Sequence, residues 1–242
     1  LKPVRIHALL PAAGQSLRFG GIISKQYAQL LGKPVIAHSI AVLQQHPQVT
    51  AVTVVISADD GCYDELVRPI FPGVQTIRGG DSRAQSVING LKYIAANDPD
   101  AEWVLVHDAA RPCLGADALQ RLIDHVLGAC PQNAGYGAIL AMPVSDTLKQ
   151  ASKDGQVIAT IDRSMLWAAQ TPQLFPVKDL LECLSAALQS GPPPTDEAQA
   201  MERNGHPVQL VQGSVDNIKI TRSEDLVIAE AILLRRQGSQ QV

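Results

Sequence analysis

The residues able to do chemistry gather in loops that each follow a short apolar, β-prone run. LPAAGQSLRFGGIISKQY spans 10–27, and its small residues Ala12, Ala13 and Gly14 let the backbone approach a ligand and offer N–H donors. Arg18 and Lys25 follow in the same loop and suit a polyphosphate, Arg as a bidentate fork and Lys as a mobile point charge. Neither GxxxxGK[ST] nor GxGxxG fits the segment, which weakens kinase and dehydrogenase readings. An ordinary turn with solvated cations explains the loop alone equally well.

GGDSRAQSV at 79–87 opens a helix, so the Gly80 N–H, Asp81 and Ser86 could converge on a nucleobase or sugar. Gly-Gly before a helix cap is also routine turn grammar. VLVHDAARPC at 104–113 sets Asp108 at a strand end, placed to bind a hydroxyl or a divalent cation, with Arg111 three residues on to take an anion. Asp108 could instead only cap the next turn, the less favoured reading, and His107 reads as a packed core histidine. TDEAQA at 195–200 offers Thr195 as a helix cap or a ligand, and SVDNIKIT at 214–221 carries Lys219 in a β-prone stretch. No nucleophile elbow, Ser-His-Asp order or reactive-Cys context supports covalent catalysis.

The elements that must position these loops alternate as in an α/β layered domain with a mainly parallel twisted sheet. Strands are expected at 6–10, 51–57, 74–78, 103–107, 137–141 and 208–211, and helices at 35–45, 61–70, 83–96, 116–127, 177–190, 196–204 and 223–236. Ser82 suits a helix cap and Pro176 a first helical turn. Residues 143–163 break the rhythm, with two β-prone runs around Lys153-Asp154-Gly155 that predict a hairpin, either reaching outward or packed on its own domain.

The 242 residues suffice for a sizeable core, and the reading is one domain with an inserted β-arm at about 143–165. A net charge of −3 and 4% aromatics argue against a nucleic-acid polymer or anionic membrane as partner. Cys62, Cys113, Cys130 and Cys183 form no CxxC pair, and the chain shows no membrane span or signal-peptide pattern, so the expected location is the cytoplasm.

Taken in order, PAAG…R…KQY, GGDxR…S, HDAARP, DT, DR, TPQ, TDE and DNIKIT resemble the 2-C-methyl-D-erythritol 4-phosphate cytidylyltransferases of the non-mevalonate isoprenoid pathway, over residues 11–221. The resemblance implies a Rossmann-like nucleotidyltransferase core with a protruding β-arm, a homodimer and magnesium-dependent use of CTP. It implies that Ala12, Ala13, Gly14, Gly80, Asp81 and Ser86 hold cytidine, and that Arg18, Lys25 and Lys219 face the phosphates as the catalytic cations. Asp108, Arg111, Thr171, Thr195 and Lys219 would line the polyol phosphate pocket, with Thr147 and Arg163 on the arm and Arg163 reaching the neighbouring subunit's substrate. Magnesium would sit mainly on the CTP phosphates, with Asp108 a candidate ligand. Where the family pattern has Gly and Pro, this chain has Ser16 and Ser24, changes that stiffen one part of the loop and loosen another. Rival readings are a ribitol 5-phosphate cytidylyltransferase and a non-catalytic nucleotide-binding module.

Overall fold

The computed structural model describes residues 4–14, 24–128 and 137–239. In chain order come β1 (Ile6–Pro11), a 3-10 turn (Lys25–Tyr27), β2 (Gln29–Leu30), β3 (Lys33–Pro34), α1 (Val35–Gln44), β4 (Val49–Ile56), α2 (Tyr63–Leu66) and β5 (Gln75–Arg78). Then follow α3 (Arg83–Asn97), β6 (Trp103–Val106), α4 (Ala116–Gly128), β7 (Ala138–Pro143), β8 (Leu148–Ala151) and β9 (Val157–Ile161). The chain ends with β10 (Trp167–Pro176), α5 (Val177–Ser190), α6 (Glu197–Arg203), β11 (Gln209–Gln212) and α7 (Asp225–Ser239).

Seven strands form one sheet in the order β11-β7-β10-β6-β1-β4-β5. β1 pairs parallel with β4 and β6, β4 with β5, and β11 with β7, whereas β10 runs antiparallel between β6 and β7. A strand buried on both faces needs apolar residues without strict alternation, and β1 is the example: Ile6, Ala8 and Leu10 enter the core on the α1 and α4 side, Leu9 the core on the α3, α5 and α6 side. Parallel pairing brings several strand ends to the same sheet edge, the usual ligand position in such folds.

β10 is absent from the sequence expectation. Its segment WAAQTPQLFP lacks alternation and contains Pro172, which cannot donate to a ladder. The structure accommodates it by breaking register with β7 between Ala169 and Gln173, and this irregularity carries Thr171. The helix expected over 61–70 shrinks to Tyr63–Leu66, because Pro69 and Pro72 stop its continuation. Residues 215–221 form no strand, and Pro176 stands at the N-cap of α5 rather than inside its first turn.

The hairpin expected at 143–163 is present as β8 and β9, an antiparallel pair separate from the main sheet, with most of its residues exposed. A third apolar cluster joins Leu30, Val35, Ala110, Cys113, Ile220 and Ala229, tying α7 to the loops beyond β6. Ile220 is fully buried. Removing an Ile side chain from water is worth about 2 kcal/mol, which offsets the ordering of one or two backbone residues, and the Ile220 N–H bond to the Ala110 carbonyl at 2.8 Å adds to the hold on the segment that carries Lys219.

Candidate active site

β1 ends at Pro11, and the chain leaves the sheet through Ala12, Ala13 and Gly14 along the wall of a cavity of about 650 Å³. Among the described residues, nothing comes within 4 Å of the position a Gly14 side chain would take. The far end of the loop is tied back: Gln26 Nε2 donates to the Ala12 carbonyl at 2.9 Å, and the Tyr27 hydroxyl donates to Asp60 Oδ2 at 2.6 Å. These bonds place Lys25 on the same cavity wall as Ala12 and Ala13. Ser24 forms the turn without a proline, its carbonyl accepting the Tyr27 N–H at 2.8 Å. Arg18 and Ser16 lie outside the described residues.

The second wall is the turn before α3. A Cβ on Gly79 would stand 2.6 Å from the Ala13 Cβ and 2.7 Å from Ser86 Oγ, so glycine is what lets the two loops meet. Ser82 caps α3 by accepting the Gln85 N–H at 3.0 Å, as its sequence position predicts. Gly80 and Ser86 line the cavity together with Asp81, but they also bind each other: the Gly80 N–H donates to Ser86 Oγ at 3.1 Å, and that hydroxyl donates to the Ser82 carbonyl at 2.9 Å. Their described contacts therefore shape the turn, beyond the expected role of pointing at a ligand.

Asp108 is the hub. Its Oδ2 lies 2.8 Å from Lys219 Nζ and 3.5 Å from Arg111 Nε, and its Oδ1 lies 3.3 Å from Arg83 Nη2. Burial alone would push this carboxyl up; the charges of Arg83, Lys219 and Arg111 outweigh it and hold the group well below the usual carboxylate range. The Arg111 contact is an ion pair without a hydrogen bond, so Arg111 Nε is buried with no hydrogen-bond partner. Arg111 Nη1 donates to the Asn217 carbonyl at 2.6 Å, which fastens the Lys219 loop to the loop beyond β6.

Thr171 and His107 lock Asp108 from behind. The Asp108 N–H donates to Thr171 Oγ1 at 3.0 Å, Thr171 Oγ1 lies 3.0 Å from His107 Nδ1, and His107 Nε2 lies 3.2 Å from the Arg111 carbonyl. A neutral imidazole donating from Nε2 and accepting the threonine hydroxyl at Nδ1 satisfies all three contacts. Burial, which pushes the His107 pKa down to about 4, favours that state. His107 is thus packed as expected and also acts as a clamp on the 108–111 turn.

Other sequence candidates lie apart. Thr195 is exposed just before α6; the cap there is Asp196, which accepts the Gln199 N–H at 2.9 Å. Thr147 and Arg163 flank the β8–β9 pair, exposed, and are not among the described residues lining the cavity. Conversely, Arg83 and Glu197 went unselected. Arg83 lines the cavity and forks onto Glu197 at 2.6 and 3.0 Å, and the Glu197 side chain is fully buried. The available signal was a cation in the first turn of a helix, where the macrodipole disfavours it.

A mixed α/β sheet whose edge gathers small-residue loops and clustered cations makes a site for an anionic ligand, and similarity to known proteins assigns the chain to the nucleotidyltransferase class of enzyme. The family model described as IspD, 2-C-methyl-D-erythritol 4-phosphate cytidylyltransferase, matches residues 6–235, and the chain belongs to that family. It is 46% identical over 231 residues to a 2-C-methyl-D-erythritol 4-phosphate cytidylyltransferase of Vibrio parahaemolyticus, covering 96% of each chain. A relative of the same description from Yersinia pseudotuberculosis is 48% identical, covering 96% of this chain and 92% of the relative. Among solved structures, a 4-diphosphocytidyl-2C-methyl-D-erythritol synthase superposes with a TM-score of 0.82 at 40% identity, covering 96% of this chain and 100% of the other. The Francisella tularensis 2-C-methyl-D-erythritol 4-phosphate cytidylyltransferase gives 0.77 at 30% identity, over 94% and 99%.

Proposed function

We propose that this chain transfers CMP from CTP to 2-C-methyl-D-erythritol 4-phosphate, forming 4-diphosphocytidyl-2-C-methyl-D-erythritol and pyrophosphate for isoprenoid synthesis by the non-mevalonate pathway. The observation that carries the reading is Asp108 with its three cations, two of which, Arg83 and Lys219, line one cavity with it, the 11–14 and 79–86 loops and Lys25. An oxygen of the polyol phosphate attacks the α-phosphorus of CTP in line, the bond to the bridging oxygen breaks, and pyrophosphate leaves with that electron pair. A phosphate monoester near neutral pH is already a competent nucleophile, so the step needs no protein base. Catalysis then rests on holding two anions together and on stabilising the charge that grows on the α-phosphoryl and leaving oxygens.

In this reading Ala12, Ala13, Gly14, Gly80, Asp81 and Ser86 hold cytidine, and Lys25, Lys219 and Arg18 face the phosphates. Asp108, Thr171 and Arg111 stand on the polyol side, Arg111 paired to Asp108 Oδ2 at 3.5 Å, and Thr195, exposed just before α6, would complete that side from outside the cavity wall. Magnesium fits as an ion carried by the triphosphate, where it neutralises phosphate charge. Asp108 is already engaged by three cations, and among the described residues no cluster of three His, Cys, Asp or Glu side chains converges.

The chain works as one domain, with β8–β9 as an arm that pairs two subunits. Val157, Ile158 and Met165 support this, since they are 63%, 62% and 85% exposed on that segment. Thr147 and Arg163 would then serve the partner's polyol phosphate. Scattered cysteines without a CxxC pair suit an enzyme of the cytoplasm. Separately, no helix among the described residues is long and apolar enough to cross a membrane.

The test is incubation with CTP, magnesium and 2-C-methyl-D-erythritol 4-phosphate, with ribitol 5-phosphate as a competing acceptor. Pyrophosphate release and the cytidine diphosphate product from the methylerythritol arm support the reading. Preference for ribitol 5-phosphate, or no product with either acceptor, overturns it.

A further inference from the structure

Glu197 lies outside the lining of the cavity, yet it is the most buried carboxylate near it. Its side chain is fully shielded in the first turn of α6, where it receives both Arg83 nitrogens at 2.6 and 3.0 Å. An uncompensated charge at such a position costs several kcal/mol, so the Arg83 fork is what allows Glu197 to be there. Among the described residues Arg83 also reaches from Nη2 to Asp108 Oδ1 at 3.3 Å. The chain of contacts therefore runs from the interior of α6, through the first turn of α3, to one specific oxygen of the hub carboxylate.

The two Asp108 oxygens divide the work. Oδ1 meets the anchored Arg83, while Oδ2 meets Lys219, whose side chain is 40% exposed at the cavity. Fixing Oδ1 from behind sets the plane of the carboxylate and so the direction in which Oδ2 holds Lys219. α6 is itself held in place, because Gln173 of β10 donates from Nε2 to Asp196 Oδ2 at 3.0 Å and accepts the Ala198 N–H at 2.9 Å. Gln173 is buried two residues from Thr171, which binds the Asp108 N–H. Asp108 is thus held through its backbone by β10 and through its carboxylate by α6.

We infer that Glu197 is a positioning residue for polyol phosphate recognition: it anchors Arg83, which orients Asp108, without touching either substrate. This deepens the cytidylyltransferase reading and rests on it. Cytidine is assigned to the other side of the cavity, so the effect should fall on one substrate.

Glu197→Gln keeps shape and size but weakens the fork. The positioning role predicts that it raises KM for the polyol phosphate roughly tenfold or more, the scale of a misplacement transmitted to a site, while KM for CTP moves less than about twofold. The rival is an Arg83 that binds substrate phosphate directly and is restrained by Glu197. That arrangement gives the opposite sign: freeing Arg83 would leave KM for the polyol phosphate unchanged or lower it, and either result overturns the inference. Unchanged CTP binding also reports a folded variant. Should E197Q fail to fold, Arg83→Lys keeps the charge but loses the planar two-nitrogen fork onto Glu197, and the same selective rise in KM is expected; equal effects on both substrates, or none, would contradict it. Calorimetric titration of polyol phosphate into parent and variant reads the same ratio without turnover. A parent that binds but transfers no CMP counts against the proposed function alone, whereas equal affinity in parent and variant counts against the role of Glu197.

Discussion

The molecule has two clefts of nearly equal size at opposite ends of the same elements. The carboxyl-end cavity, about 650 Å³, draws on the ends of β1, β4 and β5 and the start of α3; the amino-end cleft, about 640 Å³, draws on the starts of those strands and the end of α3. Volume does not distinguish them, but charge does. At the amino end Arg5 pairs with Asp98 at 3.0 Å and Asp100 at 3.3 Å, and His7 bridges Asp98 Oδ2 and Thr53 Oγ1 at 3.0 and 2.9 Å. At the carboxyl end Lys25, Arg83 and Lys219 line a space that contains two carboxylates, Asp81 and Asp108, and the positive end of α3 faces it. The amino end sets one cation between two carboxylates beside a neutral histidine and so repels an anion, whereas the carboxyl end sets Lys25, Arg83, Arg111 and Lys219 against Asp81, Asp108 and Glu197, one positive charge in excess, and so draws one.

The sharpest way to break this contrast is to remove a cation from each end. Lys219→Ala should lower kcat by roughly 10²–10³, as expected when a preorganised group facing transition-state charge is deleted. Steady-state pyrophosphate release measures it, and a fall below tenfold would remove Lys219 from the catalytic set.

Acid should act on both ends through their buried neutral histidines. His107 is pushed down to about 4 and His7 is also lowered, each by burial first. The unfolded imidazole takes its proton near pH 6.5 while folded His107 stays neutral to about pH 4, so the unfolded state binds more protons in that window. Stability therefore falls as pH drops from 6.5 to 4, by about 3 kcal/mol for His107. Denaturant titrations at several pH values test this, and His107→Asn should flatten the profile more than removal of the His7 imidazole.

Thr171→Val should cost about 2 kcal/mol, because it leaves the buried Asp108 N–H and His107 Nδ1 without their shared partner. It should also raise KM for the polyol phosphate. The smallest effect is expected at the amino end: Arg5 is partly exposed, so Arg5→Gln should cost under about 1 kcal/mol and leave turnover within twofold of the parent.

What was legible in the sequence divides along similar physical lines. The loops 10–14, 79–86 and 104–111 could be read directly because small residues, a helix cap and an apolar run are contiguous there, and each local signal has a local cause. β10 could not, since its prolines and broken alternation conceal a strand that the neighbouring β6 and β7 stabilise. Arg83 and Glu197 are 114 residues apart, and no spacing rule connects a helix-start arginine to a carboxylate on another helix. Lys219 was visible as a residue, but the buried Ile220 that places its loop only acquires meaning once α7 covers it.

The central claim is that both phosphorylated substrates meet at the carboxyl-end cavity. A crystal structure with CTP, magnesium and 2-C-methyl-D-erythritol 4-phosphate tests it most directly. The account predicts cytidine against residues 12–14 and 80–86, with the polyol phosphate beside Asp108, Arg111 and Lys219. Substrate density in the Arg5–His7–Asp98 cleft, or a polyol phosphate out of reach of Lys219, would contradict it.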